Sequence, residues 1–445
     1  MDWRVVGNGV PSSEPAIVRA LVFLVDLDKL PASLRALLPE YRRMVNQTIR
    51  AGLASGATSR FGLTRLVYSE LSAQHKGPSS YVVQAISDAL AILHAHRKHA
   101  RRGKAPRPPY VTRLFLKAAP GAFHFDAASG TVRVSVGNGS WVAFRVPVSS
   151  WHRAQFEVAG ATPVLLTIKP GKIVITTART APAPYEAEAV LALDTNEESL
   201  DGVLVAGERA NLARVPLGDV RAVQARHFVR RRRLASKKAH DRRAKRHRLA
   251  REGKREGDRM KSRLHLVSKG LVHAAKDRKA AIVLEDLTGF RCFFSPRLNR
   301  RLSAWPHREL HRQIAYKAQA AGVPVVLVNP FLTSQKCAAC GWTPKRSKTR
   351  TSARRTERVY VCGNPECGWK ADRQFNAGVN ILRTALTNRP GLRGVRFHLD
   401  ALSHDVMNPL CEPALRAVRG ERKERESRTS AFAVVPTKAS TATGH

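Results

Sequence analysis

Hydrophobic positions along the chain change their spacing twice. Residues 15–28, PAIVRALVFLVDLD, are rich in Val and Leu and predict a β-strand. From residue 31 the spacing becomes helical. Residues 31–38 predict a turn or two, Pro39 interrupts, and a longer helix runs to about Ala54. A further piece sits near 64–73, and Val82, Val83, Ile86, Ala89, Leu90 and Leu93 recur at helical intervals after Ser79. This helical stretch ends in a basic, Pro-broken linker, HAHRKHARRGKAPRPP. From Tyr110 to about Pro182 the period is two. Short strands, with turns such as Lys169-Pro-Gly171, predict a barrel-like or sandwich-like β-domain that the first strand joins.

From Ala187 strands and helices alternate. Ala189 to Asp194 is a continuous apolar strand ending in an acid, and Asp201 to Ala206 is its hairpin partner. The stretch from Arg221 to Arg263 lacks Pro, is rich in Ala, Leu, Arg and Lys, and predicts one long helix, weakest at Gly253 and Gly257. Ala281 to Glu285 is a second buried-type strand ending in an acid. A helix over 306–321 and a strand over 323–328 follow. After about Thr387 no clear period remains, and the chain is expected to be a flexible tail. The expected architecture is multidomain α+β. Residues 1–30 and 108–185 form the β-domain, interrupted by a helical module at 31–107. Residues 186–332 and 370–387 form an α/β domain around an insert at 333–369, and 388–445 form the tail.

Charge sharpens this picture. Lys and Arg number 77 against 34 acids, a net charge of +43 in 445 residues. Self-repulsion on that scale opposes compaction unless a polyanion neutralises it, which points to nucleic acid. Arg230, Arg231, Arg232, Arg233, Lys237, Lys238, Arg242 and Arg243 are the candidate phosphate contacts. The longest apolar run, Leu21 to Val25, is too short to span a bilayer, so no membrane partner is expected. The first residues lack the pattern of a secretory leader, and six Cys fit a reducing cytoplasm.

Four of those Cys carry chemistry. Cys337-x-x-Cys340 and Cys362-x4-Cys367 are two short knuckles, the pattern that offers Zn²⁺ four thiolates. Disulfides are the weaker alternative in this setting. Cys292 and Cys411 stand apart as plain small side chains. Three acids occupy comparable places: Asp194 and Glu285 end apolar strands, and Asp372 opens a helix. Carboxylates that converge at one rim of an α/β sheet can hold two Mg²⁺ or Mn²⁺ ions, ~3.5–4 Å apart, for phosphodiester hydrolysis by a two-metal route. Each also has a plainer role. Asp194 can open the turn that follows it, Glu285 can pair with Arg291, Asp286 can be the ligand in its place, and Asp372 can be an N-cap.

The order of these parts resembles the RuvC-like (RNase H fold) nuclease of TnpB, an RNA-guided endonuclease related to compact type V CRISPR effectors. VLALDTNEES resembles the first RuvC motif, AIVLEDLTGFR the second and ADRQFNAGVNIL the third. The segment from Trp305 through the first Cys knuckle resembles the family's helix–strand–ribbon stretch. The resemblance implies a β-barrel wedge domain with an inserted recognition module, then a RuvC domain with an inserted zinc ribbon. It implies catalytic Asp194, Glu285 and Asp372, zinc on the four knuckle Cys, a guide RNA and a double-stranded DNA target. Three departures stand out. Asn196 occupies a place where many members have Gly, and the second knuckle is x4 where x2 is common. In the third motif Gln374 replaces a second acid, which leaves guided binding without cleavage as an alternative; a plain zinc-ribbon RNA-binding protein is a further one, which would leave the three acids unexplained.

Overall fold

The computed structural model describes residues 16–410 apart from 76, 102, 104–106, 138, 237–240, 289–304, 344–358, 389 and 393. The chain divides into two compact units, Met1–Ala181 and Pro182–His445.

In the first unit, strand β1 (Ala16–Phe23) precedes three helices, α1 (Ala32–Ser55), α2 (Arg60–Gln74) and α3 (Ser79–Ala100). Helix α1 runs straight through Pro39, where an interruption is expected from the sequence. The missing N–H costs one helical hydrogen bond. The stripe of Leu34, Leu38, Tyr41, Val45 and Ile49 buried on the same helix outweighs it. Strands β2 (Leu116–Ala118), β3 (Phe123–Asp126), β4 (Thr131–Gly137) and β5 (Ser140–Arg145) follow, then helix α4 (Ser150–Phe156) and strands β6 (Thr162–Lys169) and β7 (Lys172–Thr180). They form two antiparallel sheets, β1-β7-β6-β2 and β3-β4-β5, with no pairing between them among the described residues. Alternate residues of both sheets and one face of each helix share a core that includes Phe23, Tyr41, Tyr81, Val134 and Ile175.

The second unit is built on a six-stranded sheet. Strands β8 (Ala189–Thr195), β9 (Ser199–Ala206) and β10 (Arg209–Pro216) form an antiparallel meander. Helices α5 (Val220–Ser236) and α6 (Arg242–Asp277) lead to β11 (Ala280–Glu285), which lies parallel to β8. Helix α7 (His307–Ala321) leads to β12 (Val325–Val328), parallel to β11. A small hairpin of β13 (Val359–Val361) and β14 (Lys370–Asp372) delivers the chain to helix α8 (Arg373–Asn388). Strand β15 (Leu402–Met407) closes the far edge, giving the order β12-β11-β8-β9-β10-β15. One face packs on α6 and α7 through residues such as Leu191, Ile282 and Ile314. The other packs on α8 through Ala192, Val203, Val283 and Val379.

Two expectations change. The tail does not begin at 388: residues 402–407 pair with β10, and Leu402 is buried against the α8 face. Its short, broken apolar pattern gave no period to read, because an edge strand is fixed by its neighbour. Residues 411–445 lie outside the described part. The basic stretch is also two helices, not one, and α6 continues through Gly253 and Gly257. Asp241 N-caps α6, accepting from Arg243 N at 2.7 Å and Ala244 N at 3.1 Å. The two helices pack together around a buried His227 Nδ1–Glu252 Oε1 contact of 2.8 Å.

The seating of α8 depends on Gly378, where an added Cβ would lie 2.3 Å from the Gly202 Cα on β9. Gly378→Val should therefore destabilise the second unit by about 1–3 kcal/mol. The check is the urea midpoint of the full chain, and an unchanged midpoint would contradict this packing.

Candidate active site and metal centre

Parallel pairing sets Leu193 of β8 beside Leu284 of β11, so the next residues along, Asp194 and Glu285, are neighbours. Alternation places both on the α8 face of the sheet, in line with Ala192 and Val283. Their carboxyl groups lie within hydrogen-bonding range of each other. Burial, and then the like charge of Glu285, push the Asp194 carboxyl well above the usual carboxylate range, while the Asn196 amide works the other way. Two carboxyls so placed can share one proton or one cation.

The row continues across the sheet. Antiparallel register puts Asp201 of β9 opposite Asp194, and Arg214 of β10 opposite Asp201. Glu285, Asp194, Asp201 and Arg214 thus lie side by side over four strands. Asp201 is fully buried. It accepts hydrogen bonds from the Ser199 hydroxyl and from Arg214 Nε, and from Asn196 Nδ2 at 3.3 Å. Asn196 also donates to Asp194 Oδ2 at 3.1 Å. The departure from Gly at this position therefore has a use: one amide links two acids of the row.

Asp372 sits at the end of β14, just before α8. Its Oδ1 accepts from Gln374 N at 2.8 Å, and its Oδ2 lies 3.7 Å from an Arg214 terminal nitrogen. The Arg214 guanidinium stacks 5.0 Å from the Phe375 ring. Among the described residues no three carboxylates come within metal-sharing distance of one another. The structure thus brings Asp194 and Glu285 together and gives Asp372 to Arg214. Asp286 is exposed and turned the other way, with its carboxylate accepting from Thr288 N at 3.0 Å. Arg291 lies outside the described residues.

Supports converge on the acid pair. Thr195 Oγ1 and His311 Nε2 are hydrogen-bonded at 2.9 Å, and Trp305 Nε1 donates to Asn196 O at 3.1 Å. Both contacts pin the turn that carries Asp194. Burial pushes the His311 imidazole down to about 4, so it is neutral at physiological pH. On the other strand, Thr333 Oγ1 donates to Glu285 Oε1 at 2.5 Å.

Thr333 opens the cysteine segment. The four sulfurs of Cys337, Cys340, Cys362 and Cys367 lie within 4.8 Å of one another. Sγ of Cys337 is 3.9 Å from that of Cys367, and Sγ of Cys340 is 3.6 Å from that of Cys362. A disulfide needs about 2.05 Å. A tetrahedral Zn²⁺ with thiolates at about 2.3 Å places sulfurs about 3.8 Å apart, so the four cysteines fit that ion. Gly341 and Gly368, just beyond the knuckles, have φ of 77° and 61°, which a side chain would resist. Cys292 and Cys411 lie outside the described residues. Helix α8 holds this segment by its backbone. Asn376 Oδ1 accepts from Ala338 N at 2.9 Å, Asn376 Nδ2 donates to Lys336 O at 2.8 Å, and Asn380 Nδ2 donates to Thr333 O at 2.9 Å.

Of the basic candidates, Arg232, Arg233, Arg242 and Arg243 lie exposed or at helix ends on α5 and α6. Arg230 and Arg231 form ion pairs with Glu252 and Glu256. Lys237 and Lys238 lie outside the described residues. Asp201, Arg214, His311 and Thr333 are site residues that the sequence reading missed. Asp201 had a faint signal, as the one charge in the strand SLDGVLVA, while Arg214 shares its strand with Arg209 and Asn211 and had none. Thr333 and His311 had none, because their partners are more than 40 residues away.

A family model described as Cas12f1-like, TNB domain, matches residues 307–381, which covers α7 through most of α8. A second, described as Uncharacterized protein MJ0013 family, matches 37–135. The CRISPR-associated endodeoxyribonuclease Cas12f1 of Sulfoacidibacillus thermotolerans is 33% identical over 118 residues, 26% of this chain and 25% of that one. The alignment thus spans about a quarter of that relative. The TnpB-like protein MJ0751 of Methanocaldococcus jannaschii is 28% identical over 242 residues, 53% of this chain and 81% of that one. In fold, the chain is similar to the protein in a cryo-EM structure of a Cas12f1–sgRNA–target DNA complex. The TM-score is 0.55 at 12% identity, covering 78% of this chain and 81% of that one. No helix among the described residues is long and apolar enough to cross a membrane.

Two expectations follow from the site. The carboxyl pushed above its usual range is a destabilising charge in the ion-free chain once pH exceeds the carboxylate range, so stability falls as that proton is lost. Asp194→Asn should therefore raise ion-free stability at pH 7 by about 1 kcal/mol, or roughly 2–4 °C in Tm. Differential scanning calorimetry in magnesium-free buffer checks this, and a lower Tm than the parent's would contradict it. Cys337→Ser should release the zinc measured by a chromogenic chelator and lower the Tm of the second unit. Retention of one zinc per chain would contradict the four-cysteine centre.

Proposed function

We propose that this chain, a relative of TnpB-like and Cas12f proteins, is an RNA-guided DNA endonuclease of the cytoplasm whose cleavage centre is the Asp194–Glu285 pair. The observation that carries the reading is that pair: two carboxyls brought together at adjacent strand ends inside a chain of net charge +43. On this reading the six-stranded sheet with its helices is an RNase H-like (RuvC) domain, the cysteine segment is a zinc ribbon, and the first unit is a wedge and recognition module. The relative's printed name, endodeoxyribonuclease, agrees with it.

The donor set at the pair is hard carboxylate oxygen, which fits Mg²⁺ or Mn²⁺ and not Zn²⁺, while the thiolates fit Zn²⁺. A divalent ion held by Asp194 and Glu285 would supply Lewis-acid chemistry, activating water and offsetting negative charge on a phosphodiester. The chain's own residues prepare the place. Thr333 fixes one oxygen of Glu285, and Asn196 fixes one oxygen of Asp194. His311, neutral, and Trp305 hold the turn without adding a charge that would compete for the carboxylates. Because Thr333 lies next to the ribbon and is tied to α8 through Asn380, the ribbon sets the orientation of Glu285. Asp372 would join the pair only on leaving Arg214.

The arginines of α5 and α6 meet the phosphates of guide RNA and of the double-stranded DNA target. Base pairing with the guide supplies the sequence information that phosphate contacts lack. A second reading, guided binding without cleavage, is favoured by one feature: Gln374 stands where the third motif often has an acid, and Asp372 faces an arginine.

The test is cleavage of a matched DNA duplex by the protein with its co-purifying RNA and Mg²⁺. Asp194→Ala and Glu285→Gln should each lower the rate at least about 100-fold, beyond the loss that outer-shell contacts alone cause. Unchanged cutting in either variant would sink the assignment. Tight guided binding by the parent with no product in Mg²⁺ or Mn²⁺ would decide for the second reading.

A further inference from the structure

We infer that Arg214 is a built-in cation of the carboxylate row, so that the resting protein takes one divalent ion, at Asp194 and Glu285, with Asp372 outside its ligand set. This inference rests on the reading of Asp194 and Glu285 as an ion site and adds what the rest of the row does.

Arg214 is anchored from both sides. Its Nε donates to Asp201, which is fully buried and directly opposite in the β9–β10 register. Its Cζ lies over the Phe375 ring, 5.0 Å from the ring centroid. Held in this way, its terminal nitrogen points toward Asp372 Oδ2 at 3.7 Å, an ion-pair distance too long for a hydrogen bond. That nitrogen is buried and makes no hydrogen bond. The acid facing that nitrogen is Asp372, and pulling Asp372 away would leave the half-buried guanidinium with Asp201 as its one carboxylate partner among the described residues.

The oxygens tell the same story. Asp201 spends one oxygen on Arg214 and the other on Ser199 and Asn196. Asp372 spends one oxygen on Gln374 N and faces Arg214 with the other. Glu285 spends one on Thr333, and Asp194 spends one on Asn196. The carboxyls left facing each other are Asp194 and Glu285, whose proximity is unfavourable unless a proton or a cation lies between them. Arg214 thus places a fixed positive charge on the side of the row where a second ion would otherwise be drawn by Asp201 and Asp372. A purely structural ion pair would leave the metal count indifferent to Arg214.

The experiment is a Mn²⁺ titration of the full, zinc-loaded chain, stripped of nucleic acid at high salt, with free Mn²⁺ read by electron paramagnetic resonance. The parent should bind one tight Mn²⁺. Asp194→Asn should lose it, and Asp372→Asn should keep it with affinity changed less than about twofold. Arg214→Gln, with folding checked by parent-like circular dichroism, keeps both acids and should bind a second Mn²⁺ through Asp201 and Asp372. Two tight ions in the parent, loss of the ion in Asp372→Asn, or a single ion in a folded Arg214→Gln would each overturn the inference while leaving the Asp194–Glu285 site intact. No tight ion in the parent would instead overturn the site on which the inference rests.

Discussion

Two carboxyl groups set side by side at the ends of neighbouring parallel strands repel each other, and the second unit is arranged so that they cannot part. The β8–β11 register fixes their backbones. Asn196 and Thr333 each hold one oxygen, and α7 pins the turn beyond Asp194 through His311 and Trp305. Burial beside Glu285 raises the pKa of the Asp194 carboxyl, so this proximity costs stability in the ion-free chain. Strain of this kind persists only where the surroundings over-determine it, and here three separate elements do so.

The cysteine segment gains meaning from the same constraint. Its sulfurs are far from the acids along the chain, yet its first knuckle begins four residues after Thr333. Asn376 and Asn380 of α8 bond the backbone of residues 333–338, so the knuckle, the helix and Glu285 form one connected hydrogen-bonded body. An ion bound by the thiolates would stiffen that body without touching the chemistry. The close approach of Gly378 to Gly202 completes the seating, since no side chain separates α8 from β9.

Much of this was legible in the sequence, for reasons that can be named. Asp194 and Glu285 end uninterrupted apolar runs, and such runs are strands buried on both faces whose ends share a rim. The knuckle spacing pointed to the cysteine centre, and the helix that Asp372 precedes was legible as well. What escaped depends on partners distant in sequence. Arg214 belongs to the row only because β10 pairs with β9, and Thr333 matters only because of a contact 48 residues away. The placement of Asp372 escaped for the same reason: its position before a helix was readable, but the arginine opposite it was not. Pro39 and the two glycines of α6 misled because local propensity yields to a long buried stripe or a strong cap elsewhere.

The central claim is that Asp194 and Glu285 form a divalent-cation site. The most direct measurement is anomalous diffraction from crystals of the full chain soaked in Mn²⁺. The expected result is a manganese peak bounded by the Asp194 and Glu285 carboxylates, at oxygen distances of about 2.1 Å, as for Mg²⁺. A map with both side chains ordered and no manganese between them would contradict it.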